Sequence, residues 1–201
     1  GKQVGAGDAP LSEPESRAMT DFIVHHKNIV IAIFGHTCSG VLLRPSACVA
    51  DVELPTSDLR IYKIMGSKGQ EITGYPAFST FHDFRYDPKS VIKGTENWFY
   101  EALGIVCWTV EYWAPHREAG VDVSDYIEWF HEHPVEDDLK MLLWSDKVLE
   151  GKGYIDWYPF DHPVLGNVEL GGWDTLRSIS NPPDHLIERE ISPVIDWVQW
   201  L

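Results

Sequence analysis

Two continuous apolar runs set the hydrophobic pattern of this chain, residues 29–34 (IVIAIF) and 105–110 (IVCWTV). Neither alternates with polar positions, and Ile or Val fills four of the six places in the first. That pattern predicts strands buried on both faces, as in a sheet packed between helices. Gly35 stops the first run with His36 immediately after it, and Glu111 closes the second. If the two strands are parallel neighbours, an imidazole and a carboxylate meet at one edge of the sheet. In open α/β sheets that edge is where ligands bind.

Helical periodicity fills much of the remainder. Residues 11–26 read as an amphipathic helix with Ala18, Met19, Phe22 and Ile23 on one face. Ser12 and Glu15 fit a capping box, and Pro14 is tolerated in a first turn. Thr95 can cap a helix carrying Trp98, Phe99, Ala102 and Leu103, which Gly104 ends. Residues 135–149 form a third helix, with Glu136, Asp137 and Asp138 at its start and apolar side chains at 135, 139, 142, 143 and 149. Residues 184–200 predict a terminal helix kinked at Pro193. Residues 41–43 are a short strand stopped by Pro45, and 154–170 an aromatic-rich hairpin. The stretch 47–93, dotted with Pro, Gly and Ser, reads as a long irregular surface excursion, and excursions of that length often carry function.

Composition narrows the classes. At 201 residues, 44% hydrophobic and 23% charged, the chain can build one sizeable core, and residues 1–201 are read as a single domain. A net charge of −15 argues against a nucleic-acid partner, which needs clustered Lys and Arg. No apolar run reaches the roughly 18 residues of a membrane span. Three cysteines without CxxC spacing argue against a disulfide framework or a cysteine zinc site, and favour a reducing, cytoplasmic setting. The chain opens on Gly1 with no signal-peptide pattern, so it carries little targeting information. Nothing in it fixes an oligomeric state.

A lone histidine after a strand is more often structural than a ligand. A carboxylate beside it at an equivalent strand end changes that balance, because metal hydrolases set a neutral imidazole ligand beside a general-base carboxylate. A zinc site takes about three protein ligands, and no HExxH is present. His131 and His133, in FHEHP, sit two apart and would point to different helix faces. His25 and His26 suit the end of a helix, where cations complement the dipole. Nine tryptophans are present, densest near WYPF at 157–160. Exposed aromatics there could stack on sugars or a peptide, although packing is the simpler role.

Three segments carry a family resemblance. GAGDAPLSEPESRAMTDFIVHHKNI, FGHTCSGVLLRP and GTENWFYEALGIVCWTVEYW resemble, in order and spacing, the carboxyl-terminal part of the zinc carboxypeptidases, and the bacterial branch in particular. FDHPVLGNVELGGWD and the NPP before the last helix are similar to that branch as well. The resemblance implies a three-layer α/β/α fold around a mixed, mainly parallel sheet, incomplete on its N-terminal side. It implies a zinc-dependent enzyme that hydrolyses the C-terminal peptide or small-amide bond of its substrate; the lack of a membrane-length apolar run separately argues against a membrane partner.

By the same resemblance His36 would be a zinc ligand and Glu111 the general base. Tyr86 would be the tyrosine that closes over the substrate, and Glu96 would lie near the position that sets side-chain specificity. The family's other two zinc ligands, in an H-x-x-E motif, precede everything in this sequence. So do its carbonyl-polarising arginine and its carboxylate-binding Asn-Arg pair. The chain is therefore expected to be a piece of such an enzyme, to bind zinc poorly and be inactive alone, and to bare a sheet edge. A non-catalytic peptide- or glycan-binding module on a degenerate peptidase scaffold is the alternative.

Overall fold

A computed structural model describes residues 7–9, 11–85 and 94–201. Among the described residues six strands are formed: β1 (Ile31–Thr37), β2 (Val41–Arg44), β3 (Ala77–Ser79), β4 (Val106–Tyr112), β5 (Tyr154–His162) and β6 (Gly166–Trp173). The helices are α1 (Pro14–His25), α2 (Thr56–Thr73), α3 (Thr80–Asp83), α4 (Thr95–Leu103), α5 (Pro115–Glu118), α6 (Tyr126–His131), α7 (Val135–Val148) and α8 (Ile187–Trp200).

The first four strands make one mixed sheet in the order β1-β4-β2-β3. β1 lies parallel to β4 and β2 parallel to β3, while β2 and β4 are antiparallel. Side chains alternate across the sheet, and helices cover both faces. On one, Leu42, Trp108 and Val110 pack with Tyr62 and Met65 of α2 and with Val194 and Trp197 of α8. On the other, Cys107 and Ile105 pack with Ile23 of α1 and Phe99 of α4, and Val41 and Leu43 with Phe84 and Tyr126. The result is a three-layer α/β/α arrangement. β5 and β6 form a separate antiparallel hairpin.

Several sequence expectations are corrected. β1 is not buried on both faces: among the described residues it pairs only with β4, its residues are half-buried or exposed, and Val30 before it is 66% exposed. A continuous apolar run marks a strand but not its rank in the sheet. β4 has the same kind of run and is buried because it lies between two neighbours. The irregular excursion is corrected more strongly, since it contains the 18-residue helix α2. Its buried residues, Tyr62, Met65, Gly66 and Gly69, follow helical spacing. The two glycines are packing positions rather than breakers. A Cβ at Gly66 would come within 2.8 Å of the Trp108 ring, and one at Gly69 within 2.5 Å of Leu42.

The capping box is absent, because Glu13 occupies the N-cap of α1 and Ser12 Oγ donates to Glu13 Oε1. On α1 only Ile23 is buried, with Met19 and Phe22 exposed. α7 is rotated relative to expectation: Met141, Trp144 and Ser145 face inward, and Val135, Leu139 and Leu143 face out. Trp108, Trp113 and Trp197 are core residues, but Trp157 in the WYPF segment is 61% exposed. No helix among the described residues is long and apolar enough to cross a membrane.

Candidate functional site

The parallel register of β1 and β4 sets His36 directly opposite Glu111. β1 runs three residues and β4 two residues beyond its apolar stretch, so the two side chains sit within the strands rather than beyond them. By alternation they continue the face formed by Ala32, Phe34 and Cys107. Nδ1 of His36 lies 3.8 Å from Oε1 of Glu111, outside hydrogen-bond reach. The imidazole is 57% exposed at the open edge, whereas the carboxylate is 13% exposed between two strands.

Two contacts fix the spacing of these strand ends. The Ser39 N–H donates to the Trp113 carbonyl at 2.8 Å, tying the segment after β1 to the segment after β4. Trp113 has a positive φ of 68°, a conformation a bulky residue holds only when its surroundings over-determine it. Its backbone N–H donates to the Tyr75 hydroxyl at 3.2 Å and its indole N–H to the Ser178 carbonyl at 3.0 Å. The ring is fully buried.

Electrostatics at the pair are one-sided. Burial pushes the Glu111 carboxyl up to about 7, and no hydrogen bond to it is found among the described residues. Cys38, two residues past His36, has its thiol raised by burial first and by the Glu111 charge as well. The Cys38 sulfur lies 3.7 Å from the Tyr126 hydroxyl. Cys38 and Tyr126 were missed by sequence reasoning. Their 88-residue separation leaves no local signal from which the contact could be read.

A cavity of about 580 Å³ opens beside His36, bounded by Gly35, Thr37, Tyr112, the segment 180–182 and the start of α8. It lies toward the face opposite Glu111, which is not among its lining residues. Glu96 sits in the first turn of α4, where its Oε1 accepts from the Asn97 amide at 2.7 Å, and it does not line this cavity. Tyr86 lies outside the described residues. His133 bridges the Trp129 carbonyl and Asp138, and His25 and His26 contact carbonyls of their own helix, all structural arrangements.

The family model for zinc carboxypeptidase matches residues 1–128, well over half of the 201-residue chain. The chain belongs to the zinc carboxypeptidase family. A comparison with curated proteins returned no match. The zinc carboxypeptidase match takes in β1, β4 and the His36–Glu111 pair and ends within α6, so α7, the hairpin and α8 lie beyond it. The metal named by the family can be tested against the donors present. Among the described residues no group of three or more His, Cys, Asp or Glu side chains could hold a metal ion. One imidazole beside one carboxylate does not make a zinc site, which takes about three protein ligands. Zinc chemistry here would need donors beyond the described residues.

Proposed function

We propose that this chain contributes the general base and one metal ligand of a zinc metallocarboxypeptidase acting on the C-terminal peptide or small-amide bond of its substrate. The observation that carries the reading is the register of β1 and β4, which brings His36 and Glu111 to one face at 3.8 Å. Glu111 takes a proton from the attacking water and passes it to the leaving amine. In the metal-free chain burial raises this carboxyl to about 7, toward the working pH at which a general base is most efficient. His36, exposed and neutral when ligating, offers its imidazole at the open edge of the sheet. Tyr86 is proposed to close over the terminal residue of the substrate. Glu96 is proposed to favour Lys or Arg there by charge. A reducing compartment such as the cytoplasm is proposed from the odd number of cysteines and their lack of CxxC spacing.

Calorimetric titration of zinc tests the donor count. The 201-residue chain is expected to show no tight stoichiometric site, and its residual weak binding should be lost in His36→Ala. One tight site in the chain alone would overturn the donor count. Weak binding indifferent to His36→Ala would remove His36 from the metal. The exposed Trp157, Tyr158 and Phe160 of β5 favour a second reading, a non-catalytic peptide- or glycan-binding module. Ligand binding that is insensitive to chelators and lost on replacing Trp157 would select it.

A further inference from the structure

On the sheet face opposite Glu111, α2 and the strands beneath it enclose a polar cleft of about 590 Å³. Arg44, Trp108, Lys63 and Gln70 are among its lining residues. Two of them are buried in the fold, Arg44 at 8% exposure and Trp108 at 0%. Arg44 spends one arm of its guanidinium on Asp51, donating from Nη2 to Oδ2 at 2.6 Å. Its other terminal nitrogen, Nη1, is buried with no partner among the described residues, and so is the Trp108 indole nitrogen, Nε1. Gly66 keeps α2 close enough for the indole to form part of the cleft wall, since a Cβ there would meet the Trp108 ring at 2.8 Å.

Two carboxylates, Asp83 and Glu71, also line the cleft, and each has one oxygen engaged within the fold. Asp83 Oδ2 accepts the Ser79 N–H at 2.8 Å, and Ser79 Oγ accepts the His82 N–H at 3.3 Å. Glu71 Oε1 accepts from Lys68 at 2.6 Å. Lys63, at the cleft's exposed side, has no ion pair among the described residues. The buried polar atoms of the cleft left without a partner are thus both donors. A buried donor left unserved destabilises the fold, and more so when it is charged. Indole N–H and guanidinium groups can only donate.

We infer that this cleft is a binding site for an oxyanion, the carboxylate or phosphate group of a small ligand, held by Arg44 Nη1, the Trp108 indole N–H and Lys63. Charge-assisted bonds from Arg and Lys to such oxygens are the stronger class of hydrogen bond. The site is independent of the peptidase reading. Trp108 and Glu111 stand on the same strand, but alternation sends them to opposite faces.

Water can serve the same donors, and a titration separates the two cases. The Trp108 indole N–H resonance, assigned by its loss in Trp108→Phe, is followed in the ¹H–¹⁵N spectrum of the full chain. Inorganic phosphate, and separately acetate, replaces chloride at constant ionic strength. The resonance should move and saturate. Lys63→Ala, a substitution on the exposed side of α2, should raise the half-saturation concentration about two- to fivefold. Saturation with phosphate alone identifies a phosphate ligand, and saturation with acetate a carboxylate; either supports the site. A resonance that never saturates with either anion would make the cleft a water pocket. A half-saturation unmoved by Lys63→Ala would place the anion elsewhere. Both results overturn the assignment.

Discussion

Replacing Glu111 by Gln should stabilise the metal-free chain by about 3 kcal/mol at pH 8 and leave it nearly unchanged at pH 4. The sign follows from the carboxyl's two environments. In the unfolded chain it titrates near 4.5, while burial in the fold holds it up to about 7. Between those values the native state keeps a proton that the unfolded state has released, so stability falls as pH rises through that window. Above it the fold carries a buried carboxylate with no hydrogen bond among the described residues, and an amide of the same shape removes that cost. Urea denaturation of both proteins from pH 4 to pH 8 measures the difference directly. Equal stabilities at pH 8 would mean that Glu111 is better solvated than its 13% exposure implies.

His116 should act with the opposite sign over nearly the same range. Burial first, and then the neighbouring Arg117, push its imidazole down to about 4 from an ordinary 6.5. The ring lies 5.3 Å from the Tyr126 ring and 5.4 Å from that of Trp129, an apolar setting that excludes the charged form. Below pH 6.5 the unfolded chain binds a proton that the native state refuses. Stability is therefore fully present above 6.5 and is lost as pH falls toward 4, by about 3 kcal/mol. His116→Phe should abolish that acid loss, so its stability relative to the parent improves by about this amount between pH 8 and pH 4. In the parent chain the two groups offset one another. The Glu111→Gln curve should consequently rise with pH where the His116→Phe curve falls. Parallel curves for the two variants would contradict both assignments.

The legible parts of the fold were those in which one local pattern decides the structure. The runs that became β1 and β4, the Gly104 stop of α4 and the acidic start of α7 are of that kind, and so is the hairpin from Tyr154. Legibility failed where the deciding partner is distant. The rank of β1 at the edge depends on which strand lies beside it, and its own residues do not encode that. α2 was concealed by Gly66 and Gly69, which read as interruptions along the chain. They are the places where the helix meets Trp108, Ala77, Leu42 and Trp197. α7 kept its extent but turned a different face inward, because Trp144 packs against the ring of Trp113.

The candidate site was legible as a pair and not as an environment. His36 and Glu111 each follow a run of apolar residues, and parallel pairing of the two strands is enough to bring them together. The thiol of Cys38, the Tyr126 hydroxyl and the Ser39–Trp113 tie come from chain folded back over tens of residues. The separation between the donors present and a complete zinc site is likewise a matter of three-dimensional counting.

The central claim is that the His36 imidazole and the Glu111 carboxylate act at one point. The ¹³C resonance of the Glu111 carboxyl, followed against pH with and without excess zinc, tests it most directly. The account predicts a midpoint near 7 in metal-free protein, lowered by zinc in the parent chain and unmoved by zinc in His36→Ala, because a nearby cation favours the charged carboxylate. A midpoint near 4.5 that ignores zinc in both proteins would contradict it.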